Sequence, residues 1–206
     1  MSEVVFDVFD AVPERFGATP NLIFRIRVAE VTGEVVHAIA LRCQLRIEPQ
    51  HRRYDAGEKE RLVELFGETH RWGDTVKPFL WTHASTMVAG FSGSTEVELP
   101  VPCTYDFEVS AAKYLHALGD GDVPLVLLFN GTVFSASGVE PVPWHKEAHF
   151  KMPAVVWRQL MDLYFPNSGW IRLRRDTLDD LERFKADRAL PTWEQAIEAL
   201  LKESDG

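Results

Sequence analysis

Along the first half of the chain, apolar and polar side chains alternate with a period of two. Val4, Phe6 and Val8 interleave with Val5, Asp7 and Phe9, and Leu22, Phe24, Ile26 and Val28 share one face, with Arg25 and Arg27 on the other. Val35, His37, Ile39, Leu41, Cys43, Leu45 and Ile47 continue the pattern against Glu34, Ala38, Ala40, Arg42, Gln44, Arg46 and Glu48. Successive side chains of a strand point to opposite faces, so alternation over this many positions predicts long strands with one packed face and one wetter face. Residues 31–34, Val-Thr-Gly-Glu, supply a turn, and the two strands flanking it are expected to pair as an antiparallel hairpin. Thr95, Val97 and Leu99 against Glu96 and Glu98 predict another strand, and Cys103, Tyr105, Phe107 and Val109 extend the pattern. The apolar run 123–137 predicts a buried strand broken by a bulge or tight turn at Asn130-Gly131.

Elsewhere the period changes. Leu62, Leu65 and Phe66 are spaced three and four apart, which predicts a short amphipathic helix over 58–66, ended by Gly67. Residues 72–81 read as an irregular aromatic stretch, 110–118 fit either a strand or a short helix, and 119–122 form a turn. A helix is predicted from Pro153, with Val156, Leu160, Leu163 and Tyr164 among its apolar positions, since proline is compatible with a first turn. A second follows from about Thr177, with Leu178, Leu181 and Phe184 inward. A third starts at Thr192, where Thr192 and Gln195 have capping-box spacing ahead of Trp193, Ala196, Ile197, Leu200 and Leu201. The whole reads as an α+β protein. An antiparallel β-sheet or sandwich domain spans 1–150, with the short inserted helix near 58–66, and a C-terminal helical region, 151–206, is expected to pack on it.

Composition narrows the function classes. The chain has 206 residues, 46% of them hydrophobic, enough for a core without disulfides or metal. A net charge of −9 argues against general nucleic-acid binding and against adsorption to an anionic membrane. The N-terminal decapeptide lacks the charged and apolar regions of a secretory signal, and no run is long enough for a membrane helix, so a cytoplasmic location is expected. Cys43 and Cys103, each inside an alternating pattern, are expected to be buried thiols.

Three constellations are candidates for chemistry. His145, Glu147 and His149 are alternate residues that could place two imidazoles and a carboxylate on one side of a strand, as zinc or iron requires. The order is not His-Glu-x-x-His, and the stretch lies between Pro143 and Pro153 in what reads as a connector, where a solvated pair is the plainer interpretation. His51, Arg52 and Arg53 form a basic turn in which arginine forks suit carboxylate or phosphate. With Glu48 and Asp55 flanking it, a solvated corner is expected there, and a surface for an acidic partner is the alternative. Gly90-Phe91-Ser92-Gly93-Ser94 misses the spacing of a nucleophile elbow and is expected to be a loop. No catalytic residue and no cofactor is assigned. Trp144, Trp170 and Trp193 with Arg172, Arg174, Arg52 and Arg53 are the candidate partner-binding residues, because tryptophan and arginine are enriched at protein interfaces.

Residues 101–134 and 168–201 carry a resemblance to an uncharacterised bacterial domain family of about this length, which extends over nearly the whole chain. The family is associated with [NiFe]-hydrogenase gene neighbourhoods, and the resemblance implies no reaction. The long antiparallel strands, the proline-led helix at 152–166, the extended link and the next helix also resemble the architecture of SecB-type export chaperones, whose apolar groove holds unfolded clients. The longer N-terminal β region, the inserted helix and the extra C-terminal helix depart from that pattern, so no client surface carries over. Together these readings lead to a non-enzymatic cytoplasmic factor, accessory or chaperone-like, whose partner is another protein, and with which a homo-oligomer is compatible. A metal-dependent protein centred on His145, Glu147 and His149, or a structural subunit of a larger assembly, are the alternatives.

Overall fold

The computed structural model describes residues 3–104, 106, 109–166 and 171–204. Its strands are β1 (Val4–Pro13), β2 (Asn21–Glu30), β3 (Val35–Ile47), β4 (Phe79–Ser92), β5 (Ser94–Pro102), β6 (Asp122–Ser135), β7 (Gly138–Pro141) and β8 (Glu147–Pro153). Its helices are α1 (Ala56–Arg61), α2 (Val63–Phe66), α3 (Trp72–Thr75), α4 (Ser110–Ala117), α5 (Ala154–Tyr164), α6 (Arg175–Asp187) and α7 (Trp193–Ser204). The α+β class holds, and the strands form two antiparallel sheets. One has the order β1-β2-β5; the other runs β4-β3-β6-β7, with β8 also pairing β6.

The alternation places the core as expected. Leu22, Phe24, Ile26 and Val28 from one sheet and Leu41, Cys43, Leu45 and Ile47 from the other are buried, whereas Arg42, Gln44 and Arg46 are more exposed. The two inner faces meet through aromatic contacts: Phe6 stacks on Phe129 at 4.4 Å between centroids, and Phe24 meets Trp81 and Phe150 edge-on. On the outer face of the first sheet, Arg25 lies between Asp10 and Glu98, and Arg27 reaches Glu96 at 3.0 Å. Cross-strand ion pairs of this kind reinforce the register already set by the buried row.

Several local expectations are corrected. β2 and β3 do not form a hairpin; each belongs to a different sheet. The reason is Glu30, whose carboxylate accepts the backbone N–H groups of Thr32, Gly33 and Glu34, the Thr32 hydroxyl and the N–H of Glu3. That knot ties the chain into a crossing between the sheets. At the start of β3, Val36 is buried and His37 exposed, the reverse of the simple alternation. A register shift between Val36 and Ala38 against β6 makes His37 a bulge and flips the parity. The stretch 72–81 contains α3 and the start of β4, and the region expected to be a loop at 89–95 is the end of β4 and the start of β5, strands of different sheets joined at Gly93 with φ 74. The helix expected over 58–66 is the pair α1 and α2, and 110–117 is helical. β6 runs unbroken through Asn130-Gly131 in its pairing with β3; what changes there is the partner on its other side, from β8 to β7. Tyr105 and Phe107 lie outside the described residues.

The chain divides into two compact units, Met1–Trp170 and Ile171–Gly206, so α5 is grouped with the sheets and the helical unit begins later than position 151. α5 buries Ala154, Trp157, Leu160 and Met161, while Leu163 is exposed, and the Tyr164 hydroxyl donates within reach of the carbonyls of Glu14 and Gly17. Among the described residues, no helix is long and apolar enough to cross a membrane.

Candidate interaction surface

The basic turn after β3 is split by the fold. Arg53 is exposed, but the Arg52 side chain is only 6% exposed and its ion-pair partner Glu58 4%. Arg52 Nη2 donates to Glu58 Oε1 at 2.6 Å and to the Asp120 carbonyl at 2.7 Å, and Nη1 donates to the Asp122 carbonyl at 2.5 Å. Glu58 also accepts the N–H of Gly119 and that of Asp55, whose carboxylate in turn accepts the Glu58 N–H. The spacing Asp55-Ala56-Gly57-Glu58 is a capping box. It was the sequence signal that this turn opens a helix and that its acid faces back toward the arginine. Arg52 is therefore a structural clamp tying the β3 exit to the 119–122 turn, a correction to both the solvated corner and the partner-binding role.

Beneath the clamp, the Tyr54 hydroxyl donates to the Pro49 carbonyl at 2.7 Å, so the Tyr114 hydroxyl, 2.8 Å away, donates to Tyr54. Burial pushes Tyr54 up to about 12 and Tyr114 further in the same direction. Neither phenol offers a base at neutral pH. Burial likewise pushes both thiols, Cys43 and Cys103, up to about 12, and both are free. None of these groups has the lowered pKa of an activated nucleophile.

The metal candidate does not come together as a triad. Glu147 and His149 lie on β8, not in a connector, and His149 Nε2 is 3.6 Å from Glu147 Oε1. His145 sits in the preceding turn with its ring edge-on to Trp144. The second histidine in the neighbourhood is instead His51: Glu48 Oε2 lies 3.3 Å from His149 Nδ1 and 3.4 Å from His51 Nδ1. Among the described residues, no group of three or more His, Cys, Asp or Glu side chains is placed to hold a metal ion.

A groove of about 690 Å³ is lined by Arg42, His83, Ser85, Pro100, Pro102 and Asn130, among others. It brings a serine and a histidine to one wall, yet among the described residues no carboxylate lines it. No hydrogen bond joins His83 to Ser85 among the described residues, so the orienting acid and the nucleophile–base contact of a triad are both missing.

The remaining partner-binding candidates are distributed over both units. Trp144 is 89% exposed in the turn before β8. Trp170 lies outside the described residues. Arg172 and Arg174 are exposed, with Arg174 at the N-cap of α6. Trp193 opens α7 with Lys185 of α6 over its ring at 5.3 Å, and Arg188 pairs with Glu203 of α7. The helical unit buries Ala196 and leaves Leu178, Trp193, Ile197, Leu200 and Leu201 between 39% and 60% exposed. Leu178, expected to face inward, is thus substantially exposed, and the apolar stripe of α7 keeps Ile197, Leu200 and Leu201 partly in water.

The fold defines an antiparallel β-sandwich protein with a two-helix C-terminal unit. The family model described as "Family of unknown function (DUF6084)" matches residues 1–206, and the chain belongs to that family. No curated protein matches it. Among solved structures, one described as the solution structure of a late embryogenesis abundant (LEA) protein is 16% identical at a TM-score of 0.34, covering 73% of this chain and 72% of that one. A β-glucosidase from Kluyveromyces marxianus is 9% identical at a TM-score of 0.29, covering 73% of this chain and 15% of its own. At these TM-scores neither likeness bears on function.

Proposed function

We propose that the protein is a non-enzymatic accessory factor, chaperone-like in that it holds another protein, and that it binds this partner through its C-terminal helical unit. The observation that carries the proposal is the exposed apolar stripe of α6 and α7. Two helices of 13 and 12 residues leave five large apolar side chains substantially in water. Covering such a side chain fully is worth roughly 1.5–3 kcal/mol. Exposed apolar patches rimmed by polar groups mark sites of protein association. The partner class we favour is a metalloenzyme under assembly, such as a [NiFe] hydrogenase, following the family resemblance in residues 101–134 and 168–201.

Affinity capture from the native host with the full-length chain tests the reading. The expected result is a specific partner that is lost when Ile197 and Leu201, both exposed, are changed to Glu. Capture unaffected by that double change sinks the proposed surface. A partner recovered in fixed stoichiometry at every growth stage makes the chain a structural subunit rather than an accessory factor. Metal analysis of tag-free protein is expected to find no stoichiometric zinc, iron or nickel; one firmly held metal per chain would overturn the non-enzymatic reading.

A further inference from the structure

We propose that two copies of this chain pair along the free edge of β4, antiparallel about a twofold axis, joining their larger sheets into one. β4 ends its sheet: β3 lies on one side and no strand on the other among the described residues. An unpaired edge is a template for another strand, and proteins blunt such edges with proline, charge, short length or a covering element. The other sheet edges carry these devices. β5 has Glu96, Glu98, Pro100 and Pro102; β7 has four residues; and β1 carries Asp7 and Asp10. β4 carries none of them. It is 14 residues long, contains no proline and no Asp, Glu, Lys or Arg, and has His83 as its one titratable side chain. From Thr82 to Ser92 its register with β3 is regular, so the edge is straight over the stretch a partner strand would use. Beside it is space: Ala84 and Ser85 of β4 line the same groove as Pro100 and Pro102 of β5.

The occupant follows from charge. The chain carries −9, so two copies repel wherever their acidic surfaces meet. Self-pairing of β5 would set Glu96 and Glu98 against their own symmetry mates. In β4, a twofold centred on Ser85, Thr86 or Met87 places His83 opposite Met87, Ala89 or Phe91 of the second copy, and every pair contains at least one uncharged residue. Each of these registers also keeps the buried-side residues aligned with one another, because opposed residues in an antiparallel pair share a face. A closed twofold contact of this kind is the commonest form of self-association.

The test is sedimentation equilibrium of the full-length chain against the double variant Ser85→Lys, Met87→Lys. Both positions are exposed, Met87 by 62%, so the fold is expected to survive with an unchanged melting transition. The wild type should dimerise, and the lysines, which oppose each other in all three registers, should raise the dissociation constant about tenfold or more. A second measurement covers a variant that misfolds. The full-length chain carrying Ser85→Cys and Met87→Cys should form a disulfide-linked dimer on mild oxidation, while the native thiols, pushed up to about 12, stay out of the exchange. A wild type that is monomeric up to its solubility limit overturns the proposal. So does a dimer indifferent to the lysines, which must form through another surface. A monomer that binds a foreign protein in a lysine-sensitive way assigns the edge to that protein's strand and equally overturns self-pairing. None of these outcomes bears on the helical unit, whose partner is tested by its own variants.

Discussion

Arg52 and Arg53 are neighbours of identical chemistry with opposite fates. Arg53→Glu changes an exposed charge and is expected to cost within about 0.5 kcal/mol. Arg52→Ala leaves Glu58 buried with its cation gone, and breaking a buried pair from one side costs roughly 3–5 kcal/mol. Urea unfolding of the two variants checks the contrast; equal losses would mean the clamp is not closed in solution. Glu30 makes a second prediction at this scale. The hydroxyl of Thr32, followed by the backbone N–H groups around it, holds the Glu30 carboxyl down from the usual value near 4.5 to about 2. A depressed carboxylate pKa stabilises the fold above the unfolded value and loses that contribution as pH falls toward the folded one. Glu30→Gln should therefore be less stable than wild type at neutral pH, with the gap closing between about 4.5 and 2. A gap that stays constant over that window would show that the carboxylate charge is not what ties the crossing.

At the scale of elements, the close approach of β6 to β3 rests on one residue. Gly131 has φ 143, and a Cβ there would lie 2.1 Å from the Ala40 carbonyl oxygen of the adjacent strand. Neither the backbone conformation nor the neighbour can give way cheaply. Gly33 has φ 88 but open space around it. Gly33→Ala should thus cost only the conformational penalty of about 1–2 kcal/mol. Gly131→Ala should cost more, about 3 kcal/mol or above, by adding a backbone clash. Denaturation midpoints measured side by side decide; similar losses would show that β3 and β6 relax apart. The Asn130-Gly131 signal was legible as something special within a strand. Its actual role, the point where β6 exchanges β8 for β7, was not, because the exchange depends on segments that return from further along the chain.

At the scale of the molecule, the helical unit and the sandwich make separate predictions. Truncation after Ala189 removes α7 and is expected to leave the melting transition of the sandwich intact while abolishing capture of the partner. A sandwich that unfolds on truncation would show that α7 belongs to its core, and the partner surface would then have to be found elsewhere. What the sequence determined by itself was the class and the buried rows. The period of two in β1, β2 and β3 follows from backbone geometry, and burying a row of Leu, Ile, Val and Phe is favourable in almost any sheet they join. The C-terminal helices were readable for the same reason at a period of 3.6. Only the tertiary structure decided which strands pair, because hydrophobic burial is non-directional and does not say which sheet a strand enters. Glu30 sent β3 to the opposite sheet through hydrogen bonds to three successive N–H groups, and a one-residue bulge at His37 reversed the parity. β4 went unseen as a strand because its position at a sheet edge leaves it only weakly buried, so its sequence carries little alternation. The site behaved likewise: Arg52 was expected at the surface because its partners, Glu58 and two carbonyls near 120, converge on it only when the chain folds back.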